Sequence, residues 1–306
     1  MPPATPAPHP QRAQADLVLL AATLGWGVTF AIVKDALSDA SPGAYLAARF
    51  LLGASVAALL ARRSLSHRPS LKYGAILGVV LWIGFAFNTW GLRYTTATRS
   101  GFVTSLCVVL VPVLSALLFS TRVGLPSFLG ALFAAVGLFV MSSRSLSLGS
   151  NASLLGDGLT VASAVAYAFH ILLTGRFAPR VLPSAAVASQ LAVVALLSCA
   201  MLPFEEVRFR PTPSLLGALL FTGIFASIFF IYMQLWAQAR TTAARAALIF
   251  SLEPLFSALF ARIILAEPLS LETRAGGGLI VLGILIAELM PWLGGRRAPI
   301  QAEPAE

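Results

Sequence analysis

Apolar runs of about twenty residues, separated by short polar or turn-forming stretches, recur along almost the whole chain. The first covers 17–34, and nine more follow at 42–61, 71–92, 97–119, 125–143, 154–174, 184–203, 215–237, 242–264 and 271–293. At about 1.5 Å of rise per residue, a helix of about twenty residues crosses the hydrocarbon core of a bilayer. The pattern therefore predicts an all-α integral membrane protein of ten transmembrane helices. The breaks carry helix-stopping chemistry, including Ser41-Pro42, Arg62-Arg63, Gly124-Leu125-Pro126, Gly149-Ser150-Asn151 and Glu267-Pro268. Residues 1–15 are proline-rich and lack apolar periodicity, which predicts a disordered arm. No Ala-x-Ala cleavage site closely follows the first run, so it reads as a retained helix rather than a signal peptide.

The chain also resembles itself. WGLRYTTATR at 90–99 returns as WAQARTTAAR at 236–245, a spacing of 146. PVLSALLF at 112–119 returns as PLFSALFA at 254–261, a spacing of 142, and Gly130 and Gly137 match Gly276 and Gly283 at 146 again. The slip of four residues is about one helical turn, which a helix absorbs without changing which face points inward. Earlier in the repeat, Trp26 pairs with Tyr167 and Pro42 with Pro183 at a spacing of 141. The expected layout is the arm over 1–15, repeats over 16–146 and 147–293, and a polar tail over 294–306. Each repeat holds five helices, an odd number, so the second must enter the membrane from the opposite side. Two inverted five-helix repeats are an architecture of alternating-access transporters, with the substrate site near the midplane between the halves.

Composition agrees with a lipid environment. The 306 residues are 58% hydrophobic and 11% charged, against about 25% charged in an ordinary soluble domain. The net charge of +9 comes from basic residues scattered between apolar runs, unlike the clustered patch of a nucleic-acid-binding surface. With the N-terminus in the cytoplasm, 12 of the 21 Lys and Arg fall in inside regions and eight outside, a modest bias toward both termini inside. Cys107 and Cys199 sit in apolar runs, form no CxxC pair, and read as buried core residues.

Ionisable residues inside a membrane mark function by default. Arg49 lies in the middle of the second run, where it could bind a carboxylate or satisfy backbone carbonyls at a helix junction. Glu253 precedes Pro254 in the ninth run. It could carry a proton, meet a substrate ammonium group, cap the broken helix or pair with Arg245. Pro112 marks the corresponding helix of the first repeat, so Pro112 and Pro254 are hinge candidates. Ser163, Tyr167, His170 and Thr174 form one polar stripe at helical spacing, which must face protein or a cavity rather than lipid. His170 could titrate near neutral pH or be a satisfied packing residue. Trp26, Trp82, Asn88 and Tyr232 complete the candidate substrate-binding set, because aromatic rings can enclose a flat apolar substrate. Trp90 and Trp236, at helix ends, read as members of an interfacial belt. Gly74-x-x-x-Gly78 fits close helix packing.

The ordered set of motifs resembles the drug/metabolite transporter superfamily, and within it the EamA-type ten-helix transporters of bacteria. It comprises Gly25-Trp26-Gly27 with Lys34, Ser41-Pro42 leading to Arg49-Phe50, GLRYTTAT at 91–98, and Val111-Pro112. The second half adds Gly156-Asp157, RAALIFSLEPLFSALF at 245–260, and Ala266-Glu267-Pro268-Leu269. The resemblance covers nearly all of 17–293. It implies a multi-pass protein of the bacterial inner membrane that moves amino acids and related small metabolites, often as an exporter, with proton or gradient coupling. It favours a structural role for the Arg49-Phe50 pair. One departure is that Thr121-Arg122 stands where the family usually carries a first Gly-Glu pair, whereas Glu267 supplies the second. Glu267 reads as a helix-end structural residue.

Other classes find little support in the residues. There is no HExxH, paired-aspartate or Gly-x-Ser-x-Gly motif for an intramembrane enzyme, and no GxxxxGK[ST] for direct ATP use. No metal or cofactor is implied. A passive channel remains distinguishable only by its kinetics. Among cargoes, amino acids, aromatic or hydrophobic ones first, are favoured over nucleosides, sugars and organic cations. Phosphorylated cargo would want a basic cavity, and Arg49 is the one clearly embedded base.

Overall fold

The computed structural model describes residues 9–119, 125–147, 151–241 and 243–293. The first repeat contains α1 (His9–Ala36), α2 (Pro42–Ala61), α3 (Arg68–Tyr94), α4 (Ala97–Thr104), α5 (Leu106–Phe119) and α6 (Leu125–Ser147). The second contains α7 (Asn151–Phe177), α8 (Pro183–Met201), α9 (Pro213–Leu220), α10 (Phe230–Gln238), α11 (Ala243–Phe250), α12 (Glu253–Ile264) and α13 (Leu271–Leu293). A π-helical stretch, Phe221–Phe229, joins α9 to α10. Helix therefore lies over every apolar run. Among the described residues, seven helical stretches are long and apolar enough to cross a membrane by themselves. Large apolar side chains turn outward, as at Leu60 (70% exposed) and Leu117 (75% exposed), which only lipid tolerates on this scale.

Local chemistry sets the helix starts. Pro42 and Pro183 occupy the first turns of α2 and α8, where a missing N–H is harmless. Thr96 and Thr212 accept hydrogen bonds from Arg99 N (3.2 Å) and Leu215 N (3.2 Å) as N-caps of α4 and α9. The first helix begins earlier than expected. Residues 9–15, read from the sequence as part of a loose arm, continue α1, because Pro10 falls in its first turn and Ala15 is fully buried. Residues 1–8, the tail from Gly294 and the Thr121-Arg122 departure lie outside the described residues.

The two halves exchange partners. α2 packs on α8, α6 on α13, and α4 on α12. The first repeat's α3 packs on α7 and α8 of the second, and in answer the second repeat's α10 packs on α1 of the first and its π-helical stretch on α2. α2 and α8 run antiparallel. The start of α2 meets the chain just past α8, where Ser41 Oγ donates to Glu205 (2.9 Å), and Ser64, past the end of α2, meets Ser184 at the start of α8 (3.0 Å). Glycines bring backbones together, as van der Waals packing in lipid requires. A methyl at Gly74 or Gly78 of α3 would lie 2.6 or 2.8 Å from the carbonyl oxygens of Ala186 and Gln190 on α8. On α6 and α13 the contact is reciprocal. A methyl at Gly137 would meet the Gly276 oxygen at 2.5 Å, and one at Gly283 would meet the Gly130 oxygen at 2.5 Å.

Candidate functional site

Between the halves lies a cavity of about 100 Å³, walled by α1, α2, α3, α4, α5, α7, α10, α11 and α12. Its lining follows the repeat. Trp26, Thr29 and Phe30 stand opposite their mates Tyr167, His170 and Ile171, each 141 residues on. Phe85, Asn88, Thr104 and Cys107 stand opposite Ile231, Gln234, Phe250 and Glu253, each 146 residues on. The cavity thus straddles the axis that relates the halves. A larger hollow of about 390 Å³ between α1 and the α11–α12 junction is walled by Leu17, Leu20, Ile249 and Leu252. It is a shallow, mostly apolar groove on the outer surface, bordered by Asp16.

Helix breaks shape the floor. Ser105 interrupts α4 and α5, and Ser251-Leu252 interrupts α11 and α12, so the two interruptions are also 146 residues apart. The prolines are not placed alike. Pro254 sits in the first turn of α12, directly at its break. Pro112 lies inside α5, where it deprives the Val108 carbonyl of its helical donor. The four-residue slip in the sequence repeat falls between break and proline.

Of the sequence candidates, Trp26, Asn88, Tyr167, His170 and Glu253 line the cavity. Trp26 donates from Nε1 to the Ala226 carbonyl (3.3 Å) and packs edge-on against Phe250. Asn88 donates to Thr104 Oγ1 (3.0 Å). Buried His170 meets Gln190 Oε1 through Nε2 (3.0 Å), which is the satisfied-packing arrangement. Tyr167 packs against Phe85 and closely over Gly84. Glu253 opens α12, is partly buried, and has no hydrogen bond or ion pair among the described residues. The side chain of Arg245 is not among those described. The other three candidates do not reach the cavity. Ser163 is fully buried and folds back onto the Thr160 carbonyl (2.7 Å). Trp82 packs beside the α2–α8 core with its indole N–H buried and without a hydrogen-bond partner among the described residues. Tyr232 is 40% exposed on the outer face of α10.

Two further lining residues lie outside the candidate set. Cys107 is buried in the core, as its apolar run predicts, and also lines the cavity. Arg49 is 2% exposed yet reaches the cavity. Its Nε donates to Ser227 Oγ (3.1 Å), and Ser227 in turn donates to the Thr222 carbonyl five residues back (2.8 Å), the span of a π-helical turn. Its guanidinium lies 4.8 and 4.7 Å from the ring centres of Phe50 and Phe85. Among the described residues, its side chain has no hydrogen bond to a backbone carbonyl and no ion pair with a carboxylate.

The Lys34 end of the bundle is closed by charged contacts. Lys34 donates to the carbonyls of Leu92 (2.6 Å) and Thr95 (2.8 Å). Asp157 accepts from Thr95 Oγ1 (3.0 Å) and pairs with Arg99. Glu267 accepts from the backbone of Ala97 (2.8 Å) and Thr98 (3.0 Å), capping α4, and Glu205 does the same for Gly43 (3.2 Å) and Ala44 (2.9 Å) on α2. Carboxylates at these N-termini answer both the free N–H groups and the helix dipole. The opposite end has uncharged links: Ser64 to Ser184, Ser70 Oγ accepting from Leu182 N (2.7 Å), and Ser189 to the Leu71 carbonyl (2.7 Å).

A protein of membrane-length apolar helices with a cavity between two matched halves has the architecture of a membrane transporter. Residues 13–143 and 154–289 each match the EamA-like transporter family, and the chain belongs to that family. It is 33% identical over 279 residues to an uncharacterized transporter of Archaeoglobus fulgidus, covering 91% of this chain and 87% of that one. It is 24% identical over 285 residues to the uncharacterized transporter YyaM of Bacillus subtilis, covering 89% and 92%. A solved crystal structure shares the fold at a TM-score of 0.68 and 22% identity, over 91% of this chain and 98% of the other.

Proposed function

We propose that this EamA-family transporter is a bacterial inner-membrane carrier that moves amino acids, aromatic or hydrophobic ones first, outward by alternating access. In this reading the ten helical segments each cross the membrane, the repeats are inverted, and both termini face the cytoplasm. Trp26, Asn88, Tyr167, His170 and Glu253 contact the substrate, while Trp82, Ser163 and Tyr232 act outside the cavity as it stands. Bending at the Pro112 and Pro254 segments exposes the cavity to either side in turn. Glu253 carries the coupling proton, with Arg49, Cys107, Tyr167 and His170 as its polar neighbours on the cavity wall. The observation that carries the reading is the cavity lining itself, in which seven matched pairs from the two repeats enclose one space. A binding site on the axis between two halves is what alternating access requires.

The test is counterflow in proteoliposomes. Saturable uptake of labelled phenylalanine or leucine, accelerated by unlabelled amino acid trapped inside, is expected. Uptake that is linear in concentration and indifferent to trapped substrate would make the protein a channel, and uptake confined to nucleosides, sugars or organic cations would replace the cargo.

A further inference from the structure

We propose that Arg49 is the specificity-determining residue that restricts this carrier to cargo bearing a carboxylate. The inference rests on the carrier reading and narrows its substrate class.

A guanidinium buried away from water is strongly unfavourable unless charge and hydrogen bonds answer it. Arg49 is 2% exposed, and no carboxylate pairs with it among the described residues. Ser227 takes up Nε, and the rings of Phe50 and Phe85 face the cation. Aromatic faces attract the charge but accept no strong hydrogen bond. Both terminal nitrogens are left without an acceptor among the described residues, on a side chain that lines the cavity. A planar fork of N–H donors held by Nε and ring contacts is a preorganised partner for a bidentate carboxylate.

The repeat sharpens the argument. The position matching Arg49 is Gln190, which is committed to His170. The position matching Glu253 is Cys107. The cavity is paired in shape but carries one guanidinium and one carboxyl group, each from a different half and with no ion pair between them among the described residues. A zwitterion fits this arrangement, its carboxylate on Arg49 and its ammonium toward Glu253. A phosphate would want a second cation, and Lys34 is occupied by the Leu92 and Thr95 carbonyls.

The experiment compares phenylalanine with phenylalaninamide and phenethylamine, which lack the carboxylate, and with 3-phenylpropionate, which lacks the amine. Counterflow and ligand-induced thermal stabilisation are both read. Wild type is expected to accept phenylalanine and reject the amide and amine. Arg49→Gln is expected to weaken phenylalanine roughly 10- to 100-fold, the range for a lost charge-assisted hydrogen bond, and to abolish discrimination against the amide. Arg49→Lys should recover part of it. Transport of 3-phenylpropionate alone would retain Arg49 while removing the amino acid reading. The proposal is overturned if the amide and amine compete as well as phenylalanine, if no carboxylate is accepted, or if Arg49→Gln discriminates like wild type. Should Arg49→Gln fail to fold, the wild-type comparison decides by itself.

Discussion

Cys107 and Glu253 occupy matching positions in the two repeats, 146 residues apart, and face the same cavity. One wall therefore presents a thiol where the other presents a carboxyl. Shape is shared between the halves, but the carboxyl group is not. In the function proposed above, the chemistry of coupling would fall on that single residue.

Glu253→Gln should separate coupling from exchange. With no partner lost among the described residues, the fold should persist and counterflow should continue. Uptake driven by a pH gradient should fall at least about tenfold, since one ionisable site carries it. Equal pH-driven uptake by wild type and variant would place the proton elsewhere.

Cys107 offers a native probe of access. In a Cys199→Ser background, a small methanethiosulfonate reagent should reach Cys107 only through the cavity. Saturating phenylalanine should slow the modification several-fold. A rate unaffected by any transported substrate would mean that cargo does not pass this wall.

Glu205 tests the closed end. Glu205→Ala leaves two backbone N–H groups at the start of α2 uncapped and should lower stability by about 0.5–2 kcal/mol. Because the same carboxylate ties α2 to the chain beyond α8, the variant should also shift accessibility toward the Lys34 end. Thermal denaturation and cysteine labelling of a reporter at that end check the two effects. An unchanged melting temperature would show that water replaces the cap without loss.

Gly137 tests the contact of α6 with α13. Gly137→Ala places a methyl against the Gly276 carbonyl and should destabilise the protein by about 1–3 kcal/mol, as overpacking does. Gly283→Ala should do the same against Gly130, by a similar amount. A large difference between the two would break the equivalence of the contacts.

Much of this was legible in sequence because membrane helices are written in runs of apolar residues and repeats in recurring motifs. The spacings of 141 and 146 that link Trp26 to Tyr167 and WGLRYTTATR to WAQARTTAAR also order the cavity wall. Helix rotation is harder to read. Trp82 and Tyr232 sit among apolar neighbours on all sides, so nothing local tells which face turns inward, and both turn away from the cavity. Ser163 shares the stripe of His170, but its hydroxyl is consumed by its own helix. Arg49 could not be assigned because its surroundings come from α3 and the π-helical stretch, distant in sequence. Only that stretch, whose wide turn no propensity announces, brings Ser227 to its Nε.

The reciprocal glycines of α6 and α13 have the geometry of an isologous interface, the kind by which two identical subunits meet across a twofold axis. Here both partners belong to one polypeptide. The covalent link between the repeats is therefore a tether across a surface matched from both sides, and the two halves supplied as separate chains are expected to associate through it.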